Sequence, residues 1–217
     1  MTQLQKWIIA LLLSIGLLLG TIVSYENNKE PEVKTKVVYK DRLVKPKGVY
    51  VTISKTTLEK DILRYKNISN KTRQLVLSNI IKYSKQYKIN PIQIYSLIAT
   101  ESSFKYWIKH SIVNIVINKH KMQTRAIGLG AVIYEWWKPK LEDANITQVK
   151  SDLYNIATNI QATCFIYSKL RDMPLMKGTT NKEDSAKLRY FGGGAKNKWY
   201  VIKINKVMSN LLKQELK

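Results

Sequence analysis

The feature that most constrains the fold is the helical spacing of apolar residues, which recurs from about residue 56 to the end of the chain. Apolar residues three and four positions apart share one face of an α-helix, so each such segment predicts a helix that buries one side. Helices are predicted through Leu75–Tyr87, from Asn90 onwards, over Leu129–Trp137, from Ser151, over Glu183–Tyr190 and from Trp199. With at most a small β element at Val49–Ser54, the sequence predicts an all-α, single globular domain over residues 56–217.

Glu101 is the most informative residue of this pattern. The helix that carries it is predicted to start at Asn90-Pro91, with Asn as the N-cap and Pro at the first helical position. Glu101 then lies on the same face as Ile94 and Leu97, near the end of the helix. Burial and the negative end of the helix dipole both raise a carboxyl pKa, which makes the group a proton donor near neutral pH. The alternative is a glutamate at the rim of the apolar face whose carboxylate reaches water.

The N-terminus contains an uncharged, largely aliphatic run from Trp7 to Val23. Its length is at the short end for a membrane-spanning helix, and it favours an uncleaved signal anchor (residues 1–25) over a cleaved signal peptide. Residues 26–55 are rich in Lys, Glu and Val and are predicted to be a charged tether. More basic residues follow the run than precede it, which by the positive-inside rule favours a cytoplasmic domain, although long domains cross the membrane largely regardless of charge.

The chain is strongly basic, with 37 Lys and Arg against 15 Asp and Glu and a formal net charge of +22. This charge favours polyanionic partners such as an anionic cell wall, anionic lipid or nucleic acid, although many of the lysines are equally consistent with an ordinary solvated surface. The single cysteine, Cys164, excludes an intrachain disulfide, and His110 and His120 have no carboxylate spaced as a partner ligand. No metal or other cofactor is therefore predicted.

Four short motifs occur in order along the globular part. They are Ile98-Ala-Thr-Glu-Ser-Ser-Phe104, Ala126-Ile-Gly-Leu-Gly130, Asn159-Ile-Gln-Ala162, and Tyr190-Phe-Gly-Gly193 followed by Tyr200-Val-Ile-Lys-Ile204. Together they resemble the motifs of the soluble-type, goose-lysozyme-like lytic transglycosylases, over residues 75–208. The chain departs from that family at Gly130-Ala131, where the family has Met-Gln, and at Phe191, where it has Asn. The segment Lys105–Arg125 is also unusually long and apolar.

The resemblance implies a lysozyme-like fold and an enzyme that cleaves the β-1,4 bond between N-acetylmuramic acid and N-acetylglucosamine of peptidoglycan. Glu101 would be the single catalytic acid/base, and the product would be a 1,6-anhydro-muropeptide. The resemblance places five residues at the substrate. Ser102 would touch the sugar or orient Glu101, and the glycan would approach the backbone at Gly128 and Leu129. Tyr190 would hydrogen-bond near the acid, and Gly192 would lie in a loop closing one end of the site. The aromatic residues Tyr134, Trp136 and Trp137 either stack on sugar rings or belong to the core, and their helical spacing is more typical of core.

Three other functions are compatible with parts of the sequence. A muramidase of the lysozyme type would use the same fold with water as the nucleophile. A non-catalytic subunit of an envelope machine would bind glycan without cleaving it, which fits the lost Gln and Asn. A tethered binder of nucleic acid or anionic lipid would explain the charge but not Glu101, and the sequence has no motif for specific nucleic-acid binding. The transglycosylase hypothesis predicts a single-pass protein of the inner membrane with its domain in the periplasm, acting on peptidoglycan in wall growth, in a secretion or conjugation apparatus, or in a phage.

Overall fold

The structure, a computed structural model, describes residues 53–66, 68–192 and 197–216. All of them belong to Tyr50–Lys217, the second of the two units into which the chain divides. The described residues form helices α1 to α7 and one hairpin of strands β1 and β2. In chain order these are α1 (Lys55–Ile62), α2 (Asn70–Gln86), α3 (Pro91–Ser102), β1 (Lys109–Ile117), β2 (His120–Ile127), α4 (Tyr134–Asp143), a 3-10 turn (Lys150–Tyr154), α5 (Ile156–Asp172), α6 (Lys182–Tyr190) and α7 (Lys198–Glu215).

Helices α3 and α5 form the centre of the domain. Nearly every residue of α3 from Ile92 to Ala99 is buried, and so is most of α5 from Asn159 to Leu170. A helix that is apolar on all sides has to be surrounded by other elements. Helix α5 packs against α2 and α6, whereas α3 packs against α2 and α7.

Local signals in the sequence start both central helices. The side chain of Asn90 accepts a hydrogen bond from the amide of Ile92 at 3.1 Å, next to Pro91 at the first helical position. The side chain of Asn155 likewise caps α5, accepting from Ala157 N at 2.9 Å. The predicted start of the Glu101 helix at Asn90 is confirmed.

The hairpin is the main departure from the all-α prediction. Strands β1 and β2 are antiparallel, and their register runs from Ile112 opposite Arg125 to Ile117 opposite His120. The two residues between the strands, Asn118 and Lys119, both have positive φ, at 49° and 68°, as a tight two-residue hairpin turn requires. The apolar segment that distinguished this chain from the family it resembles is therefore a β-ribbon, and the described residues are mostly helical rather than all helical.

Two predicted features of the helices are wrong. The segment predicted as a helix over Leu129–Trp137 begins only at Tyr134, and it continues through Pro139 to Asp143. Because proline lacks an amide hydrogen, one backbone hydrogen bond of the helix is missing at Pro139, and the helix continues past it. The helix predicted through Leu75–Tyr87 was expected to bury its regularly spaced apolar residues, but Leu75 is 44% exposed, whereas Val76 and Ile80 are fully buried.

The predictions for the N-terminal region fall on other parts of the chain. The apolar run Trp7–Val23 lies outside the described residues, as does most of the predicted tether and of the small β element at Val49–Ser54. Within the described part of the chain, none of the helices combines the length and apolar character needed to span a bilayer.

Candidate active site

Glu101 lies in the last turn of α3, where it is partly buried. The hydroxyl of Tyr200, near the start of α7, donates a hydrogen bond to Glu101 Oε1. The two residues meet because α3 packs against α7, which brings positions that are 99 residues apart into contact. The carboxyl is thus held by a neutral donor rather than by a salt bridge.

Burial raises the pKa of the Glu101 carboxyl above its ordinary value. The hydrogen bond from Tyr200 and the positive charge of Lys203 both act in the opposite direction, and burial outweighs them. A raised pKa increases the fraction of Glu101 that is protonated near neutral pH. A carboxyl with a raised pKa is chemically suited to donate a proton near neutral pH.

The backbone just after Glu101 turns sharply. Ser103 and Phe104 both adopt left-handed conformations, with φ of 50° and 63°. The turn is anchored by the ring of Phe104, which is fully buried and lies 4.7 Å from the ring of Tyr65 and 4.8 Å from that of Tyr95. Helix α3 therefore ends at a position fixed by core packing, one residue after the acid.

Ser102 is buried, and its hydroxyl donates to the carbonyl of Ile98 at 3.0 Å. Its only hydroxyl hydrogen is thus used within α3. The structure gives Ser102 a place within the end of α3, and it offers no exposed hydroxyl for a sugar.

The loop that carries Gly128 is held by one side chain of α5. Asn159 Oδ1 accepts from Gly130 N, and Asn159 Nδ2 donates to the carbonyls of Ile127 and Leu153, each at 2.9 Å. Asn159 is itself 1% exposed. Three buried hydrogen bonds from one amide fix the loop against the central helix.

The glycines of this loop are required by its approach to α5. Gly128 has φ of +68°, and a Cβ there would lie 2.3 Å from Asn159 Nδ2. A Cβ on Gly130 would lie 1.9 Å from Thr163 Oγ1. Leu129 between them is fully buried. The close contact at Gly128 is therefore with the protein's own helix, and Leu129 belongs to the core.

Tyr190 contacts this loop and lies within electrostatic range of Glu101. Its hydroxyl donates to the carbonyl of Gly130 at 2.6 Å. Burial raises the pKa of Tyr190, and the negative charge of Glu101 adds to the effect. Tyr190 thus lies within electrostatic range of Glu101 and Tyr200, while its own hydroxyl is bonded to the Gly130 loop.

Three aromatic residues at this place, Phe191, Trp199 and Tyr200, were not predicted as site residues. The ring of Phe191 stacks on that of Tyr200 with centroids 4.5 Å apart, and the ring of Trp199 lies 5.1 Å from that of Phe191. Tyr200 occurs in the last of the four motifs, and its spacing of four from Ile204 places it on the buried face of α7, so periodicity could have found it. Gly192 follows with φ of +98° and is exposed, and a Cβ there would meet no atom of the described residues within 4 Å.

The aromatic residues of α4 divide between core and surface. Tyr134 is 6% exposed and donates to the carbonyl of Gln148 at 2.9 Å. Trp137 packs against the core, whereas Trp136 is 44% exposed. Tyr134 and Trp137 therefore belong to the core, and of the three aromatic residues only Trp136 exposes much of its ring to solvent.

Glu135, the other carboxylate close to a motif, is committed to an ion pair with Lys150. Burial alone would raise its pKa, but hydrogen bonds from Lys150, from its own backbone and from Thr124 hold the pKa below the ordinary value. Glu135 therefore stays ionised near neutral pH and is unsuited to donate a proton.

The described residues contain no group of three or more histidine, cysteine or acidic side chains that could hold a metal ion. His110 instead pairs through Nε2 with the carbonyl of Gly128 at 2.9 Å. Comparisons of the chain with protein-family models, with curated proteins and with solved structures gave no match.

Proposed function

We propose that this protein is a peptidoglycan lytic transglycosylase with Glu101 as its catalytic acid/base. The observation that carries the proposal is the environment of that carboxyl. It lies at the end of a buried helix, burial raises its pKa, and Tyr200 holds one of its oxygens. These are the properties of a positioned proton donor, and they occur at the residue that the motif resemblance singles out.

In the proposed first step, Glu101 gives its proton to the glycosidic oxygen between N-acetylmuramic acid and N-acetylglucosamine. Because Tyr200 donates to Oε1, the acidic proton is assigned to Oε2 in this proposal, and Oε2 would donate it to the substrate. The bond from the anomeric carbon to the glycosidic oxygen breaks, and the carbonyl oxygen of the substrate's own N-acetyl group supports the anomeric carbon as it does so.

In the second step, the ionised Glu101 takes the proton of the muramic C6 hydroxyl. The C6 oxygen attacks the anomeric carbon and closes a 1,6-anhydro ring, and Glu101 returns to its protonated form. The attacking hydroxyl belongs to the same sugar, so the step has the entropic advantage of an intramolecular reaction and consumes no water.

This mechanism needs one carboxylate, whereas most glycosidases use two. Among the described residues, the groups that shift the Glu101 pKa are Tyr200 and Lys203, neither of which is a carboxylate. Glu135 is bound to Lys150. The arrangement therefore favours transglycosylation over hydrolysis by a muramidase.

The setting of the proposed reaction follows from the rest of the chain. The substrate is the glycan strand of peptidoglycan, to whose anionic character a net charge of +22 is suited. We propose that the apolar run Trp7–Val23 anchors the protein in the inner membrane and that the domain acts in the periplasm. An envelope secretion or conjugation apparatus, or a phage, is the class of partner that would use such an anchored enzyme.

The test is digestion of purified peptidoglycan by the full-length protein in a nonionic detergent, with product analysis by mass spectrometry. Glu101→Gln, which preserves the size of the side chain, is the matched control. We expect anhydro-muropeptides, one water lighter than hydrolysis products, from the parent and none from the variant. Reducing-end products would instead identify a muramidase.

An absence of any cleavage by the folded parent protein would favour a non-catalytic glycan-binding subunit. Two observations support that as the second candidate. Ser102 and Leu129, both expected at the substrate, are buried, and the hydroxyl of Ser102 is bonded within its own helix.

A further inference from the structure

Two exposed aromatic rings lie together at the junction of α6 and α7. Phe191 is 39% exposed and Trp199 is 51% exposed. Their ring centroids are 5.1 Å apart with an interplanar angle of 79°, so the edge of one ring meets the face of the other. Exposed aromatic rings that lie together offer a flat apolar face that a ligand can contact.

This pair, Phe191 with Trp199, is continuous with the candidate acid. The ring of Phe191 stacks on Tyr200 at 4.5 Å with an interplanar angle of 25°, and the hydroxyl of Tyr200 donates to Glu101. Only one side chain therefore separates the pair from the carboxyl. Tyr200 is itself 2% exposed, so the solvent-facing part of the cluster consists of Phe191 and Trp199.

We propose that Phe191 and Trp199 form a carbohydrate-stacking subsite that holds a pyranose ring of the glycan beside Glu101. The C–H groups on the flat face of a pyranose carry partial positive charge, and they are attracted to the negative face of an aromatic ring. The inference deepens the proposed function and rests on it, because it names how that site would grip the sugar.

The subsite can be tested by binding rather than by turnover. The full-length protein carrying Glu101→Gln, which leaves an oligosaccharide intact, is titrated in nonionic detergent with a soluble oligomer of N-acetylglucosamine, and binding is followed by isothermal calorimetry. Phe191→Leu and Trp199→Leu keep an apolar side chain but remove the aromatic face, whereas Trp199→Phe keeps one. Trp107→Leu is the matched control, since Trp107 is 48% exposed and forms a similar edge-to-face pair with Tyr106, with ring centroids 4.9 Å apart.

We expect Phe191→Leu and Trp199→Leu each to weaken oligosaccharide binding about threefold to tenfold, as the loss of one aromatic stacking contact implies. Trp199→Phe should retain most of the affinity, and Trp107→Leu should retain all of it. Far-ultraviolet circular dichroism of every variant checks that it is folded.

Equal binding by the parent and by the two leucine variants would overturn the subsite while leaving the role of Glu101 intact. An absence of oligosaccharide binding by the folded parent would overturn it as well. The peptidoglycan digestion above then decides separately whether Glu101 cleaves glycan, so failure of the subsite and failure of the proposed function are distinguishable.

Discussion

Asn159 offers a quantitative test of how the site is supported. Replacing it with alanine removes three buried hydrogen bonds, one with Gly130 N and one each with the carbonyls of Ile127 and Leu153. Each such bond contributes about 1 kcal/mol net, so the free energy of unfolding should fall by about 3 kcal/mol. For a domain of this size, that corresponds to a decrease in Tm of about 6–12 °C. The assay is thermal unfolding of the full-length protein in nonionic detergent, followed by circular dichroism.

The matched control is Asn155→Ala, four residues earlier on the same helix. The Asn155 side chain caps α5 by accepting from Ala157 N and Thr158 N at the surface, and its loss should cost only about 1 kcal/mol. A decrease for Asn159→Ala no larger than that of the control would refute the reasoning. It would mean that Asn159 does not clamp the loop, and the position of Tyr190 against Gly130 would need another cause.

Three further predictions concern the carboxylates. Tyr200→Phe removes a hydrogen bond that lowers the Glu101 pKa, so the alkaline limb of the pH–activity profile should move to higher pH. The maximal rate should fall about tenfold, because one contact that positions Glu101 is lost. An unmoved limb would contradict the assignment of that limb to Glu101. Because the pKa of Glu101 is raised in the folded state, the folded state binds more protons than the unfolded state. The parent should therefore lose stability relative to Glu101→Gln as pH rises from about 4, and its relative stability should not change below that pH. Denaturation at several pH values measures both stabilities, and a stability difference that is independent of pH would count against a raised pKa. Glu135→Gln breaks the ion pair with Lys150, which is 42% exposed, and should lower stability by about 1 kcal/mol or less while peptidoglycan cleavage stays within about twofold of the parent; loss of cleavage with the fold intact would make Glu135 a second catalytic carboxylate.

The parts of the fold that the sequence predicted are those with local causes. The start of α3 at Asn90 depends on a cap and a proline within a few residues, and the buried face of α7 depends on a spacing that can be counted. The position of Glu101 near the end of a buried helix follows from the helix start at Asn90 and from the spacing of the apolar residues. Such features can be predicted because the interactions that determine them lie within one or two helical turns.

The hairpin was missed because its signals are weak. The run from Ile112 to Ile117 contains apolar residues on both faces, so it lacks the alternation of a half-exposed strand. Its turn, Asn118-Lys119, lacks the glycine that usually marks a two-residue hairpin. The helix predicted to end at Trp137 instead continues through Pro139 to Asp143, so its predicted end was wrong.

The geometry of the site depended on tertiary packing and could not be predicted. Nothing local to Glu101 indicates that the Tyr200 hydroxyl will reach it, because the contact depends on how α3 and α7 cross. The resemblance explained Gly128 by a close approach of the glycan, whereas in the structure the close approach at Gly128 is that of Asn159 from α5. Ser102 and Leu129 were placed at the substrate by resemblance alone, and the structure gives both a buried position.

The burial of α3 on nearly every face also determines how the geometry of the site responds to partial opening of the domain. Amide hydrogens in such a helix exchange with solvent only when the whole domain opens, whereas those at surface turns exchange through local fraying. Glu101 lies in the last turn of this buried helix. Its geometry therefore persists through local fluctuations of the surface, and it is lost only in the cooperative unfolding of the core.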